Sequence, residues 1–186
     1  AILGCGRISR NHIKAIILKH DRCYLKALCD NSEERLKSAS EYCQEIKNTE
    51  NIYYKPPSLF RDFSQLIDAV ITKKINIDLL VIATPSGLHS RQTIIAAKAG
   101  ITICTEKPMA TSYEDGLKMI NACKSQKVKL FVVKQNRFNK TLQLLKKQLE
   151  KGRFGQLSLI TVNVFWHRPQ SYYDTDPWRG TWQLDG

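Results

Sequence analysis

Long apolar runs are missing from this sequence. No stretch of about 18 apolar residues occurs, which excludes a helix built to span a bilayer. No basic-then-apolar leader pattern is visible and no membrane partner is expected, while the cysteine usage that follows predicts a reducing, cytoplasmic location. Metal-ligand spacing is missing as well. The six cysteines (Cys5, Cys23, Cys29, Cys43, Cys104 and Cys123) form no CxxC, and no Cys/His pairing stands at zinc spacing. Neither a metal nor disulfides are expected. Cys5, Cys23, Cys29 and Cys104 fall on or beside apolar runs, where free cysteine packs as a small hydrophobe. Repeats and low-complexity segments are also lacking. Acidic residues are scarce: 17 Asp and Glu stand against 29 Lys and Arg, a net charge of +12. Such an excess suits nucleic acid or an acidic small molecule. The basic residues are spread over every helical segment, without a dense tract or interleaved aromatics. Nucleic acid is therefore not the expected partner.

What is present is an alternation of short apolar runs and amphipathic stretches. The chain has 186 residues, 42% of them hydrophobic, enough for one ordinary domain and part of a second. The alternation predicts βαβ units and a doubly wound parallel sheet, the Rossmann-type α/β class. Strands are expected at 1–3, 23–29, 77–82, 101–104 and 129–133, with a weaker one at 52–54. Helices are expected at 9–19, 32–46, 63–73, 88–99, 112–125 and 140–150. Asp62 and Thr111 are candidate N-caps, and Gly100 a candidate stop. Pro56-Pro57 marks a loop. The pattern changes after Lys151-Gly152. A run rich in β-branched residues, 156–166, predicts a long strand with no helix after it. An irregular segment dense in Trp, Tyr, Arg and Pro follows, the expected start of an incomplete α+β domain. The first strand is short against the usual ~5–6 residues, so residues before Ala1 are expected. The end at Asp185-Gly186 is equally abrupt.

Three motifs sit at the expected carboxyl ends of strands, where open α/β sheets bind ligands. Gly4-Cys5-Gly6-Arg7-Ile8-Ser9 leads from a strand into a helix. Gly4 permits a tight turn, Gly6 lets a pyrophosphate approach, and Ser9 replaces the third fingerprint glycine. The helix start supplies free N–H groups and a positive dipole end. Asp30 ends the second strand, where a carboxylate binds a ribose 2′-OH and repels a 2′-phosphate. That favours NAD. Read alone, the glycines make a turn and Asp30 caps a helix. Ala83-Thr84-Pro85-Ser86, with His89 after it, forms the second motif. Thr84 and Ser86 are placed to hydrogen-bond a ribose or phosphate; alternatively Pro85 and Ser86 begin a helix and His89 packs. Glu106-Lys107-Pro108 is the third, with a lysine at the mouth of a buried strand.

These motifs, with Met109-Ala110 and Asn136-Arg137-Phe138, resemble the Gfo/Idh/MocA oxidoreductases from Ala1 to about Phe138. The combination is specific; no single element is. The resemblance implies an NAD-binding Rossmann domain over 1–138. Residues 139–186 are then a linking helix and the first part of a C-terminal substrate and oligomerisation domain. It implies Lys107 as the catalytic residue, beside both nicotinamide and the reacting hydroxyl. It implies cofactor contacts from Gly4, Gly6, Arg7, Ile8, Asp30, Thr84, Pro85, Ser86, His89, Glu106, Lys107 and Asn136. It implies that the usual acid/base partner, a His four residues after an Asp, would come from a second-domain stretch expected after Gly186.

The tail, Arg168-Pro169-Gln170-Ser171-Tyr172-Tyr173-Asp174 and Pro177-Trp178-Arg179-Gly180-Thr181-Trp182, looks like the branch that oxidises UDP-N-acetylglucosaminuronic acid at C3. Those enzymes serve bacterial surface polysaccharide synthesis, use NAD, and assemble as tetramers or dimers. Arg168, Gln170, Tyr172, Tyr173, Trp178 and Arg179 are the substrate candidates. Arg recognises carboxylate and phosphate bidentately, and Tyr offers a rigid face with a hydroxyl. Each equally suits a core or a subunit contact. Two alternatives stay open: another sugar or inositol dehydrogenase of the family, and a truncated, non-catalytic NAD-binding protein.

Overall fold

The computed structural model describes all residues, Ala1–Gly186. Six parallel strands form one sheet: β1 (Ile2–Leu3), β2 (Ala27–Cys29), β3 (Ser58–Phe60), β4 (Leu79–Ile82), β5 (Thr102–Thr105) and β6 (Leu130–Val132). Their order is β3-β2-β1-β4-β5-β6. This is the Rossmann arrangement, with its switch point between β1 and β4. Helices α1 (Ser9–Ile17), α2 (Glu33–Glu50), α3 (Phe63–Ile71), α4 (His89–Lys98) and α5 (Tyr113–Ser125) link the strands. Beyond the sheet lie α6 (Lys140–Glu150) and a short α7 (Gln170–Asp174).

Strand alternation divides the core into two layers. Ile2, Leu28 and Val81 pack with Ile13 and Ile17 of α1 and Leu36, Ala39, Cys43 and Ile46 of α2. Their neighbours Leu3, Ala27, Cys29, Leu80 and Ile82 face the other way, onto Leu66, Ala96, Ala97 and Cys123. Both faces of the strands are covered, as parallel sheets require. The helices have local causes. Ser32 caps α2 by accepting from the Arg35 N–H at 3.3 Å, and Glu33 and Glu34 complement the dipole in its first turn. Asp62 caps α3 as expected, accepting from Ser64. Gly100, at φ +77°, stands just past the end of α4.

Four expectations need correction. The third strand is at Ser58–Phe60, not 52–54. A left-handed Asn51 ends α2, and the Pro56-Pro57 pair lacks N–H donors for a ladder. Pairing starts immediately after them, where the Ser58 N–H donates to Lys26 O at 2.9 Å. Residues 23–26 lie outside β2, and Cys23 is exposed, its thiol on the carbonyls of Ile16 and Lys19. Ser112, not Thr111, caps α5: its extended backbone aims the hydroxyl at the Asp115 N–H, 3.1 Å away. Finally, 156–166 forms no strand. Its β-branched residues favour an extended chain, but a strand exists only with a ladder partner. No backbone partner serves the segment, and Phe165 is 95% exposed. No helix is long and apolar enough to cross a membrane.

Candidate active site

The carboxyl ends of β1, β2, β4 and β5 open into a cleft of about 760 Å³. Its floor is the turn after β1. Gly4 has φ +93°, and a side chain there would lie 2.6 Å from the Ala83 carbonyl oxygen. Only glycine fits both the torsion and the close approach. The helix that follows is tightened by Ser9, whose buried hydroxyl donates to Gly6 O at 2.6 Å. Gly6, Arg7 and Ile8 line the cleft, and no internal acceptor serves their N–H groups. Unserved N–H groups at a helix start are ready for an anionic oxygen. The arrangement therefore fits a dinucleotide pyrophosphate on its own geometry.

Asp30 stands at one end of the cleft. It is 7% exposed; one carboxylate oxygen accepts from the Cys5 N–H at 2.7 Å and the other from the Ser32 N–H at 2.8 Å. It thus holds the fingerprint turn while keeping negative charge beside the cleft. Arg35 and Arg61 also line this end, but each is engaged by a carboxylate, Asp176 at 3.3 Å and Glu33 at 2.6 Å. Burial, with the Asp30 charge, pushes the Cys5 and Cys29 thiols up to about 12, so both stay inert at neutral pH.

Thr84, Pro85 and Ser86 line the opposite end with Glu106 and Lys107. The Thr84 hydroxyl donates to Gln92 Oε1 at 2.5 Å. His89 does not line the cleft. It is 1% exposed, with Nδ1 2.8 Å from Pro108 O and Nε2 2.9 Å from Thr84 O. The expected direct cofactor contact gives way to a buried tie between two loops, because both ring nitrogens are spent on backbone carbonyls. Glu106 is 8% exposed. Its Oε1 is 2.8 Å from His12 Nε2, and its Oε2 accepts from the Lys107 N–H at 3.2 Å. Burial alone would raise its carboxyl. The His12 and Lys107 hydrogen bonds and the charge of Lys107 outweigh burial and hold it below the usual carboxylate range. A lowered folded value makes this contribution to stability complete above the unfolded value of about 4.3. It is lost as pH falls through the folded value. Urea melts at a series of acid pH values should show Glu106→Gln losing less stability with acidification than the unsubstituted protein.

A second cleft, of about 710 Å³, opens on the far side of Lys107. Lys107, Lys134, Arg137 and Lys146 line it with Gln135, Asn136 and Trp166, and no carboxylate does. Lys107 and Gln135 border both clefts. Asn136, expected at the cofactor, lines this basic cleft instead. It sits in the 3₁₀ turn Gln135–Phe138, which follows β6.

The tail divides. Tyr172, Trp178 and Arg179 line the cofactor cleft. Arg179 donates to Asp176 at 2.7 Å and lies 4.0 Å from the Tyr172 ring centroid. Arg168 stacks on Trp166 at 3.7 Å, Gln170 donates to Asp174, and Tyr173 meets Tyr172 edge-on. Those three line neither cleft. Leu184 O accepts from the Gly87 N–H at 2.9 Å, and a side chain on Gly87 would overlap the Gln183 carbonyl oxygen. Sequence reasoning missed His12, Gln92, Lys134, Lys146, Trp166 and Asp176. Only His12 left a signal, as a polar residue on the stripe otherwise formed by Ile13, Ile16 and Ile17. The others become visible only when distant segments meet.

Comparison with known proteins follows the same lines. Residues 1–134 match the model of the Gfo/Idh/MocA oxidoreductase family, NAD-binding Rossmann fold. D-apiose dehydrogenase of Paraburkholderia graminis is 30% identical over 155 residues, which are 83% of this chain and 37% of that protein. Myo-inositol 2-dehydrogenase of Thermotoga maritima is 27% identical over 161 residues, 87% of this chain and 43% of that one. The solved WlbA dehydrogenase of Bordetella pertussis, in complex with NADH and UDP-GlcNAcA, is 48% identical. It superposes with a TM-score of 0.87 over 100% of this chain and 51% of its own. The chain thus spans about half of that structure and less than half of those curated relatives. The unserved N–H groups, Asp30 and the matched segment agree on NAD as the cofactor, and the chain belongs to the Gfo/Idh/MocA family of oxidoreductases.

Proposed function

We propose that the intact polypeptide is an NAD-dependent dehydrogenase that oxidises the C3 hydroxyl of UDP-N-acetylglucosaminuronic acid. The observation that carries this reading is the position of Lys107, between the cofactor cleft and a basic cleft without carboxylates. A diphosphate and a sugar carboxylate are the anions such a cleft suits. The likeness to WlbA dehydrogenase, solved with NADH and UDP-GlcNAcA, supports the same substrate.

NAD supplies the hydride acceptor. The substrate loses a hydride from carbon and a proton from oxygen, leaving a ketone. The Lys107 ammonium would stabilise the negative charge developing on that oxygen, while the proton leaves to water. Glu106 fixes the loop that carries Lys107. Lys134, Arg137 and Lys146 hold the anionic groups; Gln135 and Asn136 supply neutral hydrogen bonds. Gly6, Arg7, Ile8 and Asp30 bind the pyrophosphate and ribose, and Thr84, Pro85 and Ser86 line the nicotinamide end. In this reading residues 1–138 are the cofactor domain and 139–186 open a substrate and oligomerisation domain. The protein works in the cytoplasm as a homo-oligomer, in surface polysaccharide synthesis.

The test is NADH absorbance with the intact polypeptide, NAD and three substrates: UDP-GlcNAcA, UDP-GlcNAc and myo-inositol. Reduction with the acid alone is expected. Turnover of inositol but not of the nucleotide sugar acid would overturn the substrate. Arg137→Ala should raise KM for the acid by about tenfold or more, the worth of a charge-assisted hydrogen bond, while leaving the NADH dissociation constant unchanged. An unchanged KM would remove Arg137 from the substrate site.

A further inference from the structure

We infer that His12 and His89 act together as a clamp that sets the position of Lys107. The inference rests on the reading of Lys107 as the catalytic residue. Lys107 is exposed and its ammonium has no hydrogen-bond partner within the chain. A long, free side chain places its charge only as well as its backbone is placed. That backbone is gripped on both sides by histidines from different helices.

On one side stands Glu106. Its N–H donates to Ile82 O at 2.9 Å, which ties it to β4. Its carboxylate is shared between His12 of α1, at 2.8 Å, and the Lys107 N–H, at 3.2 Å. His12 is therefore one carboxylate away from the backbone of Lys107. On the other side stands Pro108, whose carbonyl oxygen lies 2.8 Å from His89 Nδ1. The other nitrogen of His89 lies 2.9 Å from Thr84 O. Carbonyl oxygens only accept, so the imidazolium form serves both and a neutral ring serves one. His89 is 1% exposed and opens α4.

The consequence is a mechanical link between binding and chemistry. α1 follows directly on the turn Gly6–Ile8, whose N–H groups meet the pyrophosphate in this reading, and the loop held by His89 lines the nicotinamide end. Both are joined to the residues flanking Lys107. Neither histidine need touch the substrate: each is a positioning residue. His12 lines the cofactor cleft, but its ring nitrogen is directed to Glu106.

The test uses His12→Ala, His12→Gln, His89→Gln and Lys107→Met in the intact polypeptide, with kcat, the NADH dissociation constant and the melting temperature measured for each. His12→Ala should lower kcat by about a hundredfold, the scale of a misplacement near 1 Å. Its NADH dissociation constant should stay within about threefold, a coupling small on the affinity scale. His12→Gln, which keeps a donor for Glu106, should recover part of the loss. His89→Gln, one amide in place of a two-sided ring, should also lower kcat more than it weakens NADH. Amide exchange at Lys107, read by NMR, should quicken in His12→Ala and return towards normal in His12→Gln. Unchanged kcat in His12→Ala, or equal losses in kcat and NADH affinity, would overturn the clamp. So would His12→Gln no better than His12→Ala. Lys107→Met separates the two ideas: if it keeps turnover, the reading of Lys107 fails, while unchanged exchange at Lys107 in His12→Ala defeats the clamp alone.

Discussion

Lys107→Met in the intact polypeptide is expected to lower NAD reduction by about a thousandfold, the scale of a lost proton-transfer group or oxyanion partner. NADH binding should persist, because the N–H groups of Gly6, Arg7 and Ile8 and the carboxylate of Asp30 are untouched. Methionine keeps most of the apolar stem of lysine, one atom shorter, and removes the ammonium with its charge and donors. Lys107 is exposed, so folding should not suffer. Stopped-flow hydride transfer and fluorescence titration with NADH would separate chemistry from binding. Turnover near that of the unsubstituted protein would remove Lys107 from the mechanism.

Asp30→Ala should have a comparably large effect by a different route. Asp30 is buried and satisfies two backbone donors, Cys5 N–H and Ser32 N–H. Alanine strands both, at about 1–3 kcal/mol for each buried group left unpaired. One donor lies in the fingerprint turn and the other at the N-cap of α2, so the loss is felt where the cofactor binds. NAD affinity should fall by about tenfold or more as the ribose partner and the turn support go together. The barrier to a 2′-phosphate should weaken as well, since a negative charge is removed from beside Arg35 and Arg61. Urea denaturation and titrations with NADH and NADPH test both parts. An unchanged preference between the two cofactors would mean that Asp30 serves the fold alone.

The fold was largely legible. Four of the six strands lie within their expected ranges and β5 ends one residue past its own; the inner strands were legible because parallel strands covered on both faces leave a near-continuous hydrophobic signature. The third lies outside its range. β3 is an edge strand with Leu59 exposed and only one side paired, so its position follows from where the Pro56-Pro57 pair ends, not from hydrophobicity. The run 156–166 shows the converse: strong β propensity without a ladder partner gave no strand. Local polar chemistry was legible where the partner lies close in sequence, as with Asp62 and Ser64. Thr111 and the Ser112 beside it carry the same kind of hydroxyl, and only backbone direction makes Ser112 the cap.

The site divides in the same way. The sequence by itself determined the turn at Gly4, the charge at Asp30, and the lysine at the end of β5. Each is a local requirement: a torsion and close approach that only glycine accepts, a carboxylate at a strand end, a cation at a strand mouth. The tertiary structure alone decided how those pieces work together. His12 meets Glu106 across 94 positions of chain. His89 turned from a cofactor contact into a tie between Thr84 and Pro108. Asn136 went to the basic cleft, and Tyr172, Trp178 and Arg179 to the cofactor cleft. No periodicity records such pairings, because they arise where strand order brings separate loops to one edge of the sheet. Their strength depends on burial and distance, which exist only in the folded chain.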